Sequence, residues 1–151
     1  MSAAGTALRF ERLLRAPRGV VFAAVTDAAL MRRWMCPEEF SVTEAQACAE
    51  VGGAFRIVMQ APDGARYPVA GEYLEVRPPE AVTFTWTWEP PHTMAGVTTR
   101  VRLRLAERDG GTHLTMVHSN LASLEERDSH RGGWTGALAK LARLVAETRE
   151  S

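Results

Sequence analysis

Residues 82–88, Val-Thr-Phe-Thr-Trp-Thr-Trp, decide the fold class of this 151-residue chain. Large apolar side chains occupy every second position, and threonines fill the positions between them. A period of two places these two sets on opposite faces of a β-strand. One face is therefore apolar and the other polar, which is typical of an antiparallel sheet that is covered on one side only.

The same alternation recurs on both sides of this strand, in residues 55–60, 66–76, 97–105 and 114–118, and a first strand is predicted over residues 8–15. Turn sequences rich in Pro and Gly separate most of these segments. The connections are too short for parallel crossovers, which need a dozen or more residues. The sequence therefore predicts an antiparallel sheet of six to seven strands.

Two short helices are predicted after the first strand. Pro17 suits the first position of a helix, where its missing N–H has no partner to lose. Asp27 is a suitable N-cap for a second helix from Ala28 to Trp34.

A long helix is predicted at the C-terminal end, as the cover of the apolar sheet face. Ser123 and Glu126 match the S-x-x-E capping box, in which each side chain satisfies a free backbone donor of the other residue. A helix from there to about residue 148 would be about 36 Å long, enough to cross the sheet. Its predicted buried stripe is Trp134, Ala137, Leu138, Leu141, Leu144 and Val145.

Gly132 and Gly133 lie inside this predicted helix, where each glycine costs about 1 kcal/mol relative to alanine. Two interpretations stay open. The glycines permit close packing against bulky tryptophan side chains, or they leave room for a ligand or a hinge.

Composition limits the classes of function. The chain is 46% apolar and 24% charged, and its 18 basic and 18 acidic residues balance. Without a basic footprint we expect no nucleic-acid partner, and we expect no attachment to a membrane. No secretory signal and no 18-residue apolar run is visible, so we expect one cytoplasmic domain over residues 1–151.

Metal and cofactor sites are not expected. Cys36 and Cys48 form no C-x-x-C pair and no zinc-ligand spacing with the histidines. Cys36 is interpreted first as an apolar filler. The alternative is a partly exposed thiol beside Pro37, which nearby Arg32 and Arg33 would make reactive.

The order of strand, two short helices, six strands and long helix resembles the SRPBCC or START-like superfamily. More narrowly, the sequence resembles the heat-shock-protein-90 ATPase activator homologue-like family. The matching segments are RAPRGVVFAAVTD (15–27), RRWMCPEEF (32–40), VGGAFRIVMQAPDGARYPVAGEYLEVRPPE (51–80), FTWTWE (84–89), LTMVHSNL (114–121) and HRGGWTGALAKLARLV (130–145). The resemblance implies an α+β helix-grip fold, in which a curved sheet wraps the long helix and encloses an apolar cavity.

One segment departs from the family pattern. Members often carry Trp-Trp-Gly-Pro where this chain has Trp34, Met35, Cys36 and Pro37. The resemblance places this segment near the cavity mouth. A flexible Met in place of Trp would reshape a pocket without emptying it, so the ligand of this chain is expected to differ from that of its relatives.

The cavity lining is predicted from the inward positions of the strands and the helix. The predicted lining residues are Trp34, Met35, Phe55, Ile57, Met59, Tyr73, Phe84, Trp86, Trp88, Val101, Met116, His118, Trp134 and Leu138. Apolar ligand sites are lined mainly by such side chains. His118 and His130 are candidates for acid–base chemistry, since histidine titrates near neutral pH. No partnered nucleophile accompanies either histidine, so no catalytic residue is assigned.

Three functions remain open from the sequence. The first is a binding module for a small hydrophobic or amphipathic molecule. The second is a cyclase-like or hydrolase-like enzyme acting on a hydrophobic substrate. The third, implied by the resemblance, is stimulation of the heat-shock-protein-90 ATPase, although the chain has no room for the additional N-terminal domain of the eukaryotic activators. A homodimer is compatible with each.

Overall fold

The structure is a computed structural model that describes residues 7–150, without the side chains of the last two. Residues 1–6 and 151 of the expected 1–151 domain lie outside the described residues. The strands are β1 (Leu8–Leu14), β2 (Ser41–Ala47), β3 (Ala54–Gln60), β4 (Arg66–Arg77), β5 (Ala81–Trp88), β6 (Thr98–Arg108) and β7 (Gly111–Ser119), and the helices are α1 (Arg18–Thr26), α2 (Ala28–Met31) and α3 (Leu124–Glu150).

The seven strands form one antiparallel sheet in the order β1-β7-β6-β5-β4-β3-β2. The strand that decided the fold class, β5, is therefore the central strand. Its four large apolar side chains are all buried, and Trp88, the most exposed of them, is only 8% exposed. The prediction of a one-sided antiparallel sheet is confirmed.

The sheet is curled, and irregular pairing accompanies the curl. The register between β4 and β5 shifts between Tyr73 and Glu75, and the register between β2 and β3 shifts between Val42 and Glu44. Such bulges bend a strand and increase its twist. The concave face that results holds α3.

Helix α3 covers the concave face as predicted. Its 27 residues correspond to a length of about 40 Å, and all six residues of the predicted stripe are buried. The Ser123 half of the predicted capping box forms, because the Ser123 hydroxyl accepts a 3.1 Å hydrogen bond from the Glu126 N–H. The Glu126 carboxylate instead accepts a 2.6 Å hydrogen bond from the Thr93 hydroxyl. This contact ties the β5–β6 loop to the start of α3.

The two short helices differ from prediction at their ends. Pro17 is the N-cap of α1 and not its first helical residue. Asp27 caps α2 as predicted, since its Oδ1 accepts hydrogen bonds from the N–H groups of Ala29 and Leu30. Helix α2 ends at Met31 and not at Trp34, because the chain turns there and brings the Trp34 indole beneath α1.

The described residues 7–150 form no helix that combines the length and the apolar character needed to cross a membrane.

Candidate functional site

A cavity of about 330 Å³ lies between the concave face of the sheet and the first half of α3. Helix α3, three strands and two loops provide its walls. The residues that line it are Met35, Cys36, Pro37 and Phe40 from the α2–β2 segment, Met59, Tyr67, Trp86 and Trp88 from strands β3, β4 and β5, Pro91, His92 and Thr93 from the β5–β6 loop, and Ser129, His130, Gly133, Trp134 and Ala137 from α3. Most of these side chains are apolar or aromatic.

Five predicted cavity residues lie on these walls: Met35, Met59, Trp86, Trp88 and Trp134. His130, predicted only as a candidate for acid–base chemistry, lines the cavity as well. The inward faces of the central strands and of α3 therefore supply the deeper part of the cavity.

The other predicted lining residues lie in the packed core, away from the cavity walls. They are Trp34, Phe55, Ile57, Tyr73, Phe84, Val101, Met116, His118 and Leu138. The aromatic rings among them close the space by packing on one another. The Phe55 and Phe84 centroids are 5.0 Å apart with edge-on rings, and the Tyr73 and Phe84 centroids are 6.0 Å apart. Burial raises the pKa of Tyr73 to about 12.

Trp34 has a structural role. Its indole Nε1 donates a 2.7 Å hydrogen bond to the Ala24 carbonyl, and the side chain is fully buried. Trp34 therefore holds the turn after α2 against α1, while the next two residues, Met35 and Cys36, reach the cavity.

Two irregular segments supply many of the wall residues that the sequence did not predict, and Tyr67 of β4 and Ser129, Gly133 and Ala137 of α3 are the others. These segments are residues 32–40 and 89–97, which carry no helical or strand period. Periodic patterns therefore do not predict that side chains such as Phe40 and His92 line the cavity. The available signal was composition, because the sequence Pro-Pro-His-Thr at 90–93 follows the tryptophan-rich strand directly.

His118 is the centre of a buried hydrogen-bond chain behind the cavity wall. Its Nδ1 accepts a 2.9 Å hydrogen bond from the Trp134 indole Nε1. An indole nitrogen is only a donor, so the proton of neutral His118 is on Nε2. That Nε2 donates to the Thr99 hydroxyl at 2.7 Å, and the Thr99 hydroxyl donates to the Trp86 carbonyl at 2.8 Å. Burial, together with nearby His130, lowers the pKa of His118 to about 3.

His130 is held in the same manner. Its Nε2 accepts a 2.9 Å hydrogen bond from the Trp88 indole, so its Nδ1 carries the proton and donates to the Glu126 carbonyl at 2.8 Å. Burial lowers the pKa of His130, although the Glu126 carbonyl and carboxylate oppose that shift. Both nitrogens of His130, like those of His118, are therefore already engaged within the protein.

His92 differs from these two histidines. Its ring stacks on Trp88, with centroids 4.1 Å apart and planes 3° apart, and its Nδ1 accepts a 2.9 Å hydrogen bond from the Met94 N–H. Its Nε2 makes no hydrogen bond within residues 7–150. Burial is the main cause that lowers the pKa of His92.

Cys36 is buried, only 3% exposed, which agrees with an apolar filler and not with the alternative of a partly exposed thiol. Its neighbour is Lys140 of α3 and not one of the arginines that precede it in sequence. The Lys140 Nζ donates to the Cys36 Sγ at 3.2 Å, to the Pro37 carbonyl at 2.8 Å and to the Phe40 carbonyl at 2.9 Å. Burial raises the pKa of the Cys36 thiol more than Lys140 lowers it, so the thiol stays protonated.

Two further observations describe the chemistry of the walls. In the described part of the chain, no three His, Cys, Asp or Glu side chains cluster closely enough to hold a metal ion. Among the same residues, the Trp86 indole Nε1 is the one buried side-chain nitrogen or oxygen atom without a hydrogen-bond partner.

Comparison with solved structures gives the same fold. The AHSA1 protein from Silicibacter pomeroyi is 32% identical, with a TM-score of 0.84 over 94% of this chain and 99% of that chain. A protein from Chromobacterium violaceum is 27% identical, with a TM-score of 0.84 over 93% of this chain and 96% of that chain. A protein from Nitrosomonas europaea, 23% identical, shares the fold with a TM-score of 0.80 over 98% of this chain and 99% of that chain.

No functionally curated protein matches the chain. The model of the family described as "Activator of Hsp90 ATPase homolog 1-like protein" matches residues 15–146, which covers all elements from α1 to α3. With its helix-grip fold, the chain belongs to the activator of Hsp90 ATPase homolog 1-like family.

Proposed function

We propose that this protein binds one small hydrophobic or amphipathic molecule in the cavity between the sheet and α3. The observation that carries the proposal is the cavity itself, whose lining is mainly apolar and aromatic with a few polar groups. Ligand sites commonly combine a mainly apolar lining with a small number of placed polar groups.

The size of the cavity indicates the size of the ligand. Its volume of about 330 Å³ is near the lower end of the range of about 300–1,000 Å³ that is common for ligand pockets. A single aromatic or short branched molecule fits such a volume.

The departure from the family pattern supports a ligand that differs from that of the relatives. Met35 and Cys36, which stand where relatives often carry Trp and Gly, both line the cavity. Exchanging Trp for Met at a wall position removes a rigid ring and adds a flexible side chain. The cavity shape therefore differs from that of Trp-Trp-Gly relatives at these two positions.

Acid–base catalysis by His118 or His130 is not part of the proposal. A histidine that acts as a general acid or base needs a ring nitrogen within hydrogen-bond reach of the substrate. Both nitrogens of His118 and of His130 bond to other protein groups, and His118 is fully buried.

The test is an NMR titration of ¹⁵N-labelled protein with α-methylstyrene, a small aromatic hydrocarbon without polar atoms. The four tryptophans provide four indole N–H signals. We expect saturable shifts for Trp86, Trp88 and Trp134, which line the cavity. The signal of Trp34, which lies outside the cavity, should stay in place and serves as an internal control.

A matched pair of variants locates the binding. Ala137 is buried and lines the cavity, so Ala137→Leu should fill part of the cavity and weaken the affinity by about tenfold or more. Ala139→Leu adds the same side chain to the same helix outside the cavity lining and should leave the affinity unchanged. Absence of saturable shifts in the unmodified protein, or equal weakening by both variants, would contradict the proposed function.

A further inference from the structure

We infer that the cavity selects a neutral ligand that carries a hydrogen-bond-accepting oxygen, such as an aromatic ketone, and that the Nε2–H of His92 recognises this oxygen. The inference rests on the proposed function, because it concerns the chemistry of the molecule bound in the same cavity.

The first step is the position of the proton on His92. The Met94 backbone N–H can only donate, and it donates to His92 Nδ1. That nitrogen must therefore present its lone pair, and the proton of the neutral ring is on Nε2. The stack on Trp88 and the bond from Met94 both fix the ring. The cavity wall thus carries a fixed N–H donor.

The second step is that this donor has no partner within the protein. His130, the other imidazole on the cavity wall, and His118 behind that wall use both of their nitrogens in hydrogen bonds to other residues. His92 Nε2 makes none within residues 7–150. The hydroxyls of Tyr67 and Ser129 also line the cavity. A hydroxyl can donate or accept, so these two groups do not require the ligand to carry an acceptor. The Trp86 indole N–H also lacks a partner, but its nitrogen is buried and has no surface open to the cavity. His92 Nε2–H is therefore the unpartnered donor that a ligand can reach.

The third step excludes a carboxylate as the preferred acceptor. A buried carboxylate needs a cation as its partner. Among the described residues, no arginine lines the cavity. The nearest ammonium, that of Lys140, has three N–H groups, and all three are directed to Cys36, Pro37 and Phe40. A neutral carbonyl or ether oxygen needs one donor only, and His92 supplies it.

The test compares acetophenone with α-methylstyrene, which have the same shape but carry C=O and C=CH₂, respectively. The ketone must lose its hydrogen bonds to water on binding, so the ratio of the two affinities is compared between the unmodified protein and a variant. His92→Phe keeps an aromatic ring on Trp88 but removes the N–H. In this variant the ratio should shift about fivefold toward α-methylstyrene, because the bound ketone oxygen has lost its donor.

A second measurement does not depend on the variant folding normally. In the unmodified protein, the His92 Nε2–H proton should exchange with water more slowly in the acetophenone complex than in the α-methylstyrene complex. An affinity ratio that is the same in the unmodified protein and in a folded His92→Phe variant would overturn the inference and leave the proposed function intact. Failure of both probes to bind would overturn both.

Discussion

The indole of Trp134 donates a 2.9 Å hydrogen bond to Nδ1 of His118, and this contact joins α3 to strand β7 through two buried side chains. The bond continues through Thr99 to the backbone of β5, so three strands and the helix share one chain of donors and acceptors. Each polar atom of this chain has a partner, which is the condition under which a buried polar network stabilises a core.

Replacing His118 with leucine should lower the free energy of unfolding by about 2–4 kcal/mol, because it leaves the buried Trp134 N–H without an acceptor and breaks the chain at its centre. Urea denaturation measures this change. His113→Leu is the matched control on the same strand, where His113 contacts the exposed Glu11 carboxylate. The control should change the stability by less than about 1 kcal/mol. Equal losses in the two variants would show that the buried chain contributes no special stability.

The stability should fall as the pH is lowered from about 6.5, the usual histidine pKa in an unfolded chain. Burial lowers the pKa of His92, His118 and His130 in the folded protein, and that of His118 to about 3. Between those values the unfolded state binds more protons than the folded state, so protons favour unfolding. His118 alone should contribute a slope of at most about 1.4 kcal/mol per pH unit.

Urea denaturation between pH 6.5 and 5 measures this slope. This window lies above the pH range in which Glu75 and Glu89 begin to change the stability. Hydrogen bonds lower the pKa of both carboxylates. The His118→Leu variant should show a flatter dependence on pH than the unmodified protein. An unchanged slope in that variant would mean that His118 does not resist protonation in the folded state.

The fold was predictable because its signals are local and periodic. The alternation in β5 and the apolar stripe of α3 each follow from the spacing of side chains within one element, and both were confirmed. The sequence did not reveal which inward residues face an open space, because that depends on ring packing across strands. Phe84 and Trp86 are neighbours on the same face of β5, but only Trp86 reaches the cavity.

Sequence patterns did not predict the polar groups at and next to the cavity wall. His92 lies in a loop without a period, and its free Nε2 is defined only by a backbone contact to Met94. Similarly, Lys140 is the only lysine of the chain, but nothing in its helical position predicts that it binds two carbonyls and a thiol about a hundred residues away.

Replacing Lys140 with methionine should lower the free energy of unfolding by about 2 kcal/mol. Methionine keeps the apolar length of the side chain but removes the charged donor shared by the carbonyls of Pro37 and Phe40, which then keep the Phe40 N–H and the Cys36 thiol, respectively, as donors. Arg143→Met is the matched control one turn further along α3, since Arg143 forms an exposed ion pair with Glu38 at 2.8 Å. Exposed pairs of this kind contribute about 0–1 kcal/mol. A control that loses as much stability as Lys140→Met would contradict the assigned role.

The α3 glycines should respond to alanine in opposite directions. At Gly132 an added Cβ meets nothing within 4 Å, so Gly132→Ala should stabilise the protein by about 0.5–1 kcal/mol through helix propensity alone. At Gly136, which the sequence interpretation did not single out, the added Cβ would lie 2.6 Å from the Glu38 backbone nitrogen. Gly136→Ala must therefore push the 32–40 segment off the helix and should destabilise the protein.

Gly133 lies between these two cases. Its added Cβ would come to 3.4 Å from the Pro37 side chain, and the residue lines the cavity, so its neighbour is Pro37 and not the tryptophans first considered. Thermal unfolding of the three alanine variants should therefore rank Gly132→Ala above Gly133→Ala and Gly133→Ala above Gly136→Ala. A Gly136→Ala variant that melts at or above the temperature of the unmodified protein would show that the contact between α3 and the 32–40 segment is loose, and that this wall of the cavity can move to admit a ligand.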